Sequence, residues 1–296
     1  LSGLVGSEMC IRDRAKAIAL MAGQNRPLWD FEDVGDNYLR VNVAGMAPVV
    51  AVPTTAGTGS EVGRASVITD EAAHVKRIIF HARMLPAIVI LDPELTTGLP
   101  PKITAATGMD ALSHNLEAYC SPFFHPMAAG IALEGMRIIK EYLPQAVADG
   151  ADLQARQQML VASSMGATAF QRGLGAMHAL AHPLGALYDA HHGMLNAILM
   201  PYVLKANQHA VAPRLQALAR YLALPDDNPG AVLDWVLALR ETVGIPHTLA
   251  DIGINDSEAD RVGRMASEDP SGGTNPVTYT PEQYAELFRA AVRGIL

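Results

Sequence analysis

Ala47-Pro-Val-Val-Ala-Val-Pro53, continued by Thr54-Thr-Ala-Gly-Thr-Gly-Ser-Glu61, is the stretch on which the fold turns. A valine-rich apolar run closed at both ends by proline predicts a short buried strand, and the residues after it predict a small-residue loop. Glycines there let a ligand approach the main chain, and the hydroxyls and exposed N–H groups suit a phosphate or a ribose. The loop is neither a P-loop nor a GxGxxG motif, so taken alone it reads equally as a plain Ser/Thr/Gly turn. Further along, Ala87-Ile-Val-Ile-Leu91 stops at Asp92-Pro93 and predicts a second buried strand of the parallel type. Ligands of open α/β sheets bind beyond the carboxyl ends of the strands, where both loops fall. Lys76 offers a cation to a phosphate or ribose, although a lone lysine is usually a solvated surface charge.

On the other side of these strands, Ala15–Ala22 reads as helix. Beyond Pro100 the pattern is helical throughout: Pro101–Tyr119, Met127–Tyr142, Leu153–Phe170, Gly175–Leu187, Leu195–Gln208, Pro213–Leu222, Gly230–Val243, Asp256–Ala266 and Pro281–Val292. Thr280, Pro281 and Gln283 form an N-cap, a first-turn proline and a capping-box partner for the last helix. Strands followed by helices alone predict an α/β part and an all-α part meeting near residues 95–100. Leu1–Arg14 has neither signal-peptide order nor a strand or helix period that carries on past Arg14. It is expected to be a foreign leader, resembling translated adapter sequence, that stands where the native start is missing.

A chain of 296 residues, half of them hydrophobic, has room for two cores. Its net charge of −8 argues against a nucleic-acid or anionic-membrane surface, and small molecules are the expected partners. Cys10 and Cys120 cannot build a disulfide framework, so a reducing cytoplasm is expected, and no apolar run is long enough to span a bilayer.

Chemistry concentrates in Gly175-Ala-Met-His178-Ala-Leu-Ala-His182-Pro-Leu-Gly185, in His191-His192 shortly after, and in Asp110 with His114. Residues four apart share a helix face, so each couple aims two polar groups at one point. One such couple is commonly a packing coincidence. Two couples in alanine- and leucine-rich helices are harder to dismiss, because a buried imidazole without a partner costs on the order of 1–3 kcal/mol. A shared divalent metal, iron(II) or zinc, satisfies them together. Spacing alone does not say which histidine of each pair is the ligand.

Pro53-Thr-Thr-Ala-Gly-Thr-Gly-Ser-Glu61, Gly108-Met-Asp-Ala-Leu-Ser-His114 with Glu117, and His178-Ala-Leu-Ala-His-Pro-Leu-Gly185 through His192-Gly-Met-Leu-Asn-Ala-Ile-Leu-Met-Pro201 resemble the group III, iron-containing alcohol dehydrogenases. The resemblance runs from Ala15 to the end and includes the Asp269–Pro276 turn. It implies a fold of the dehydroquinate synthase-like kind, with the remnant of a Rossmann-like dinucleotide domain over 15–98 and an all-helical metal-binding domain over 99–296. It further implies Asp110, His114, His178 and His192 as ligands of Fe(2+) or Zn(2+), with His182 beside the metal as a proton carrier. Thr54, Thr55, Thr58, Lys76, Leu95 and Thr96 are implied to lie against NAD or NADP. The family's pyrophosphate loop and its Asp-x-Ala-Lys helix start reduce here to Ala15-Lys16.

The expected activity is reversible oxidation of a primary alcohol or diol to its aldehyde, in a homo-oligomer of the full-length protein. The alternatives are a polyol dehydrogenase of the glycerol type, a metal-dependent hydrolase, and a helical metal-binding protein with impaired catalysis. Residues near Ala65, Phe170, Leu174 and Met177 are expected to line the substrate pocket.

Overall fold

A computed structural model describes residues 9–70 and 75–296, with the side chains of 9–12, 75 and 76 outside the description. Buried apolar residues form two cores. The smaller joins Leu20, Phe31, Val41, Ile79 and Met84, and the larger runs from Ala105 to Val292.

The strands are short. β1 (Val50–Ala51) pairs in parallel with β4 (Ile88–Val89), as the two valine- and isoleucine-rich runs predict. They are not buried strands, however. Val50 is 56% and Ile88 55% exposed, because alternation turns one face of this ribbon outward with no described element over it. Between them lies a hairpin that the sequence reading misses, β2 (Ala65–Asp70) antiparallel to β3 (Val75–Phe80) with Ala65 opposite Phe80. Arg77 ties it down with contacts to Asp70 at 2.8 Å and Glu32 at 2.7 Å.

α1 (Met9–Met21) starts inside the stretch expected to be a foreign leader. The boundary at Arg14 therefore cuts through an interlocked unit. Asp13 is buried, and its carboxylate accepts from Ser60 Oγ at 2.7 Å and from the Val67 N–H at 2.8 Å. Lys16 Nζ, one turn on, donates to the Ser60 carbonyl at 3.1 Å. Asp13-Arg14-Ala15-Lys16 thus carries the whole Asp-x-Ala-Lys pattern, not its last two residues alone.

From Pro101 onward every described element is helical, as predicted: α2 (Pro101–Cys120), α3 (Pro126–Ala148), α4 (Leu153–Ala169), α5 (Ala176–Tyr188), α6 (His192–Asn207), α7 (Ala212–Tyr221), α8 (Ala231–Thr242), α9 (Ala259–Glu268) and α10 (Pro281–Arg293). α2 is central. Every residue from Thr104 to Cys120 is buried, so its polar groups must find partners inside the protein. α3 and α4 approach it closely where Gly135 and Gly166 make room for the Asn115 amide, which donates to the carbonyls of Ala111 and Ala162. α10 starts with the predicted capping box of Thr280 and Gln283 and ends at Gly294 in the left-handed region. No helix among the described residues is long and apolar enough to cross a membrane.

Candidate metal centre and adjoining cleft

Three helices deliver the polar groups. Asp110 comes from the middle of α2, His178 from the first turn of α5 and His192 from the start of α6, all buried. Their ligand atoms lie within 4.8 Å of one another, with Asp110 Oδ1 and His192 Nε2 3.7 Å apart. At their centre sits the amide nitrogen of Asn196, one turn along α6. It is 2.8 Å from Asp110 Oδ1, 3.2 Å from His178 Nε2 and 3.1 Å from His192 Nε2. An amide has two N–H bonds and cannot donate fully to three acceptors. Two imidazoles and a carboxylate so arranged are a donor set that iron(II) or zinc fits.

His114 stands beside this trio but outside it. Its ring stacks on His178 with centroids 4.8 Å apart, and its Nδ1 faces the Gly57 carbonyl at 3.3 Å. The structure also separates the histidine pairs that spacing leaves open. His191 Nδ1 accepts from the Met194 N–H and caps α6, whereas His192 turns inward. His182 lies one turn beyond His178, stacked on His192 at 5.5 Å, with its Nδ1 2.8 Å from Asp269 Oδ2. Pro183 follows it inside α5.

Outer partners aim these rings. Glu117 accepts from His178 Nδ1 at 2.6 Å and from the N–H groups of Gly175 and Met177 at 2.8 and 2.7 Å. Burial pushes the Glu117 carboxyl up to about 7 against those hydrogen bonds. Burial, together with the neighbouring His114, holds His178 well below its ordinary range, which keeps the imidazole neutral as a metal ligand requires. Burial also works to raise the Asp269 carboxyl, but hydrogen bonds from His182 and the Ser271 N–H carry it below its usual value.

His182 and Asp269 open onto a cleft of about 230 Å³ whose far wall is Glu32, Val34, Val67 and Ile78. The wall is built from the hairpin and the segment before it; Val67, two residues along β2 from Ala65, belongs to it, while Phe170, Leu174 and Met177 do not line it. Met177 instead faces a small void of about 10 Å³ beside Glu117, because one residue along a helix rotates the side chain by roughly 100° from His178. Phe170 packs against the His114 ring at 5.2 Å.

The threonine- and glycine-rich loop is held against α2 and α4. A Cβ on Gly57 would come 2.9 Å from the Thr107 side chain, and one on Gly59, at φ 58°, 2.3 Å from Ala167. These glycines answer to helix packing within the protein, a reason distinct from the expected approach of a ligand. In the loop Thr54 is exposed, Thr55 is buried, and Thr58 Oγ1 accepts from the Ser60 N–H at 3.4 Å. Leu95 is exposed. Thr96 is buried, with its hydroxyl donated to the Pro93 carbonyl at 2.8 Å, so it fastens the turn from within. The side chain of Lys76 lies outside the described residues.

Sequence reasoning misses Asn196, Asp269 and the role of Glu117. Asn196 is detectable in principle, since it stands four residues after His192 on the same face. Glu117 likewise follows Asp110 by two helical turns. The pairing of Asp269 with His182 bridges 87 residues and has no local signal.

Comparison with known proteins agrees with this geometry. The model for the Fe-containing alcohol dehydrogenase family, C-terminal, matches residues 104–292, and the iron-containing alcohol dehydrogenase model matches residues 10–93. Alcohol dehydrogenase 4 of Saccharomyces cerevisiae is 36% identical over 282 residues, which cover 94% of this chain and 72% of the yeast protein. The crystal structure of a 1,3-propanediol oxidoreductase matches with a TM-score of 0.89 at 36% identity, over 95% of this chain and 74% of that one. Sulfoacetaldehyde reductase from Bifidobacterium kashiwanohense, solved in complex with NAD+, matches with a TM-score of 0.86 at 30% identity, over 96% and 74%. A partial Rossmann-like region followed by an all-helical metal-binding region is the fold these structures share with it, and the chain belongs to the iron-containing alcohol dehydrogenase family.

Proposed function

We propose that the protein interconverts a primary alcohol or diol and its aldehyde, hydride passing to or from NAD(P), at the buried meeting point of Asp110, His178 and His192. The convergence of these three side chains from three helices is the observation that carries the reading. Asp110, His178 and His192 would hold Fe(2+) or Zn(2+), and His114, stacked on His178, would complete the set by a turn of its ring. When bound, the metal supplies Lewis acidity toward an alcohol hydroxyl and the nicotinamide supplies the hydride acceptor.

The chain's own residues do the rest. His182 lies between the metal helices and the cleft, one side chain away from His192. With Asp269 accepting at Nδ1, its Nε2 is presented as the atom that takes the hydroxyl proton during oxidation and returns it during reduction. Val34, Val67 and Ile78 give that face of the cleft an apolar lining. Thr54, Thr55, Thr58, Leu95 and Thr96 are the proposed contacts of the coenzyme, supported by the position of their loops after β1 and β4, and Lys76, on β3, is proposed to join them. We further assign the protein to the reducing cytoplasm, as a homo-oligomer.

Metal analysis of anaerobically purified protein, with NADH absorbance followed on short primary alcohols, tests the reading. Stoichiometric iron or zinc and alcohol-dependent NADH formation are expected, and His182→Ala should lower turnover while metal content stays at the wild-type level. Loss of metal from that variant would move His182 into the ligand set and overturn the assignment.

A further inference from the structure

Glu117 lies seven residues after Asp110, so two helical turns bring it back to the same face of α2. It touches neither the cleft nor the convergence point of Asp110, His178 and His192, and its side chain is 4% exposed. All of its hydrogen bonds go to one place. Its two carboxylate oxygens take the Gly175 N–H, the Met177 N–H and His178 Nδ1, at 2.8, 2.7 and 2.6 Å. Gly175 is a glycine because a Cβ there would come 2.7 Å from Glu117 Oε1 and 2.9 Å from Asn275 Oδ1.

We infer that Glu117 is a positioning residue that sets which nitrogen of His178 is offered to the metal and where it points. Both Glu117 oxygens already accept from backbone N–H groups, so the Nδ1 that faces Oε2 is the donor of a third bond and carries the imidazole proton. The lone pair is thereby left on Nε2, the atom that faces Asp110 and His192 across the Asn196 amide. The two backbone bonds fix the first turn of α5 against α2, so ring orientation and helix position are set by one group. Hydrogen bonding of this kind to the far nitrogen of a ligating histidine also makes the near nitrogen a stronger donor. The inference rests on Asp110, His178 and His192 being the metal site.

Competition between the protein and a chromophoric chelator for Zn2+ tests it. Glu117→Gln should lose roughly 10- to 100-fold in Zn2+ affinity. Asn275→Ala is the control for a purely structural role, since Asn275 accepts from the Ala176 N–H at 3.1 Å and does not touch His178. That variant should melt earlier yet bind Zn2+ within about threefold of wild type. Equal losses in the two variants, or wild-type affinity in Glu117→Gln, overturn the inference. Should Glu117→Gln fail to fold, 15N-histidine spectra of the Zn2+-loaded wild type decide: a proton on Nδ1 of His178 supports the inference, and one on Nε2 refutes it. If His178→Ala binds Zn2+ as tightly as wild type, the metal-site reading itself has failed.

Discussion

Gly193 sits immediately after His192 on α6, where the helix presses against α2. Replacing glycine by alanine inside a helix ordinarily stabilises it by about 1 kcal/mol. Here the opposite is expected. A Cβ at this position would lie 2.5 Å from the Ala106 carbonyl oxygen and 3.2 Å from Asp110 Cβ, and a backbone carbonyl in a buried helix cannot swing aside. Restoring ordinary contact requires α6 to recede from α2 by about an ångström, an overpacking that costs roughly 1–3 kcal/mol. Set against the propensity gain, the net loss reaches about 2 kcal/mol, or about 3 °C in melting temperature for a protein of this size. The same displacement pulls His192 away from Asp110, now 3.7 Å apart, and ligand distances tolerate only about 0.2 Å. Gly130, exposed on α3 with nothing within 4 Å of its would-be Cβ, is the counterpart, and Gly130→Ala should stabilise by about 0.5–1 kcal/mol. Thermal unfolding of both variants with and without Zn2+ reads the two effects. Gly193→Ala should melt below wild type and show a smaller Zn2+-induced rise, because a tenfold weaker site forfeits about 1.4 kcal/mol of linked stabilisation. A Gly193→Ala protein that matches Gly130→Ala in stability and keeps the full Zn2+ response would refute the packing argument.

Asp269→Asn removes the carboxylate that orients His182, and turnover should fall on the order of 100-fold while metal content by elemental analysis stays unchanged. Thr280→Ala deletes the capping box of α10 and should lower stability by about 1 kcal/mol in urea unfolding, with no change in Zn2+ affinity. Phe288→Ala empties a fully buried position where α10 meets the larger core, and a loss of about 3–5 kcal/mol is expected in the same assay.

The helical region was legible because its signals are local. Prolines at first turns, a capping box and continuous apolar surface mark α2 through α10 to within a few residues, except that α3 runs on to Ala148, well past its expected end at Tyr142. The hairpin was not, because Glu71-Ala-Ala-His74 between its strands contains none of the glycine, asparagine or proline that announces a turn, and alanine favours helix. The strands β1 and β4 were found, but their burial was misjudged, since a valine-rich run does not reveal whether anything covers its second face. At the site, spacing marked Asp110, His114, His178, His182 and the His191–His192 pair as candidates, and the family resemblance implied which of them are ligands. Spacing did not pick out what aims them, because the groups that hold His178 and His182 come from helices and turns far along the chain.

The start of α5 bears on how the protein assembles. Gly175 offers no side-chain cap, and the first N–H groups of the helix are taken by Glu117, 58 residues back, and by Asn275, 99 residues ahead. A helix of 13 residues with a proline inside it nucleates poorly by itself. α5 therefore has little reason to form before α2 and the 270–276 turn have closed around it, and such long-range closures are slow. The proposed metal ligands would come together late in folding, after most of the helical frame is in place. A metal that binds only the completed arrangement would then act mainly on the rate of unfolding, as a latch on the last piece to arrive.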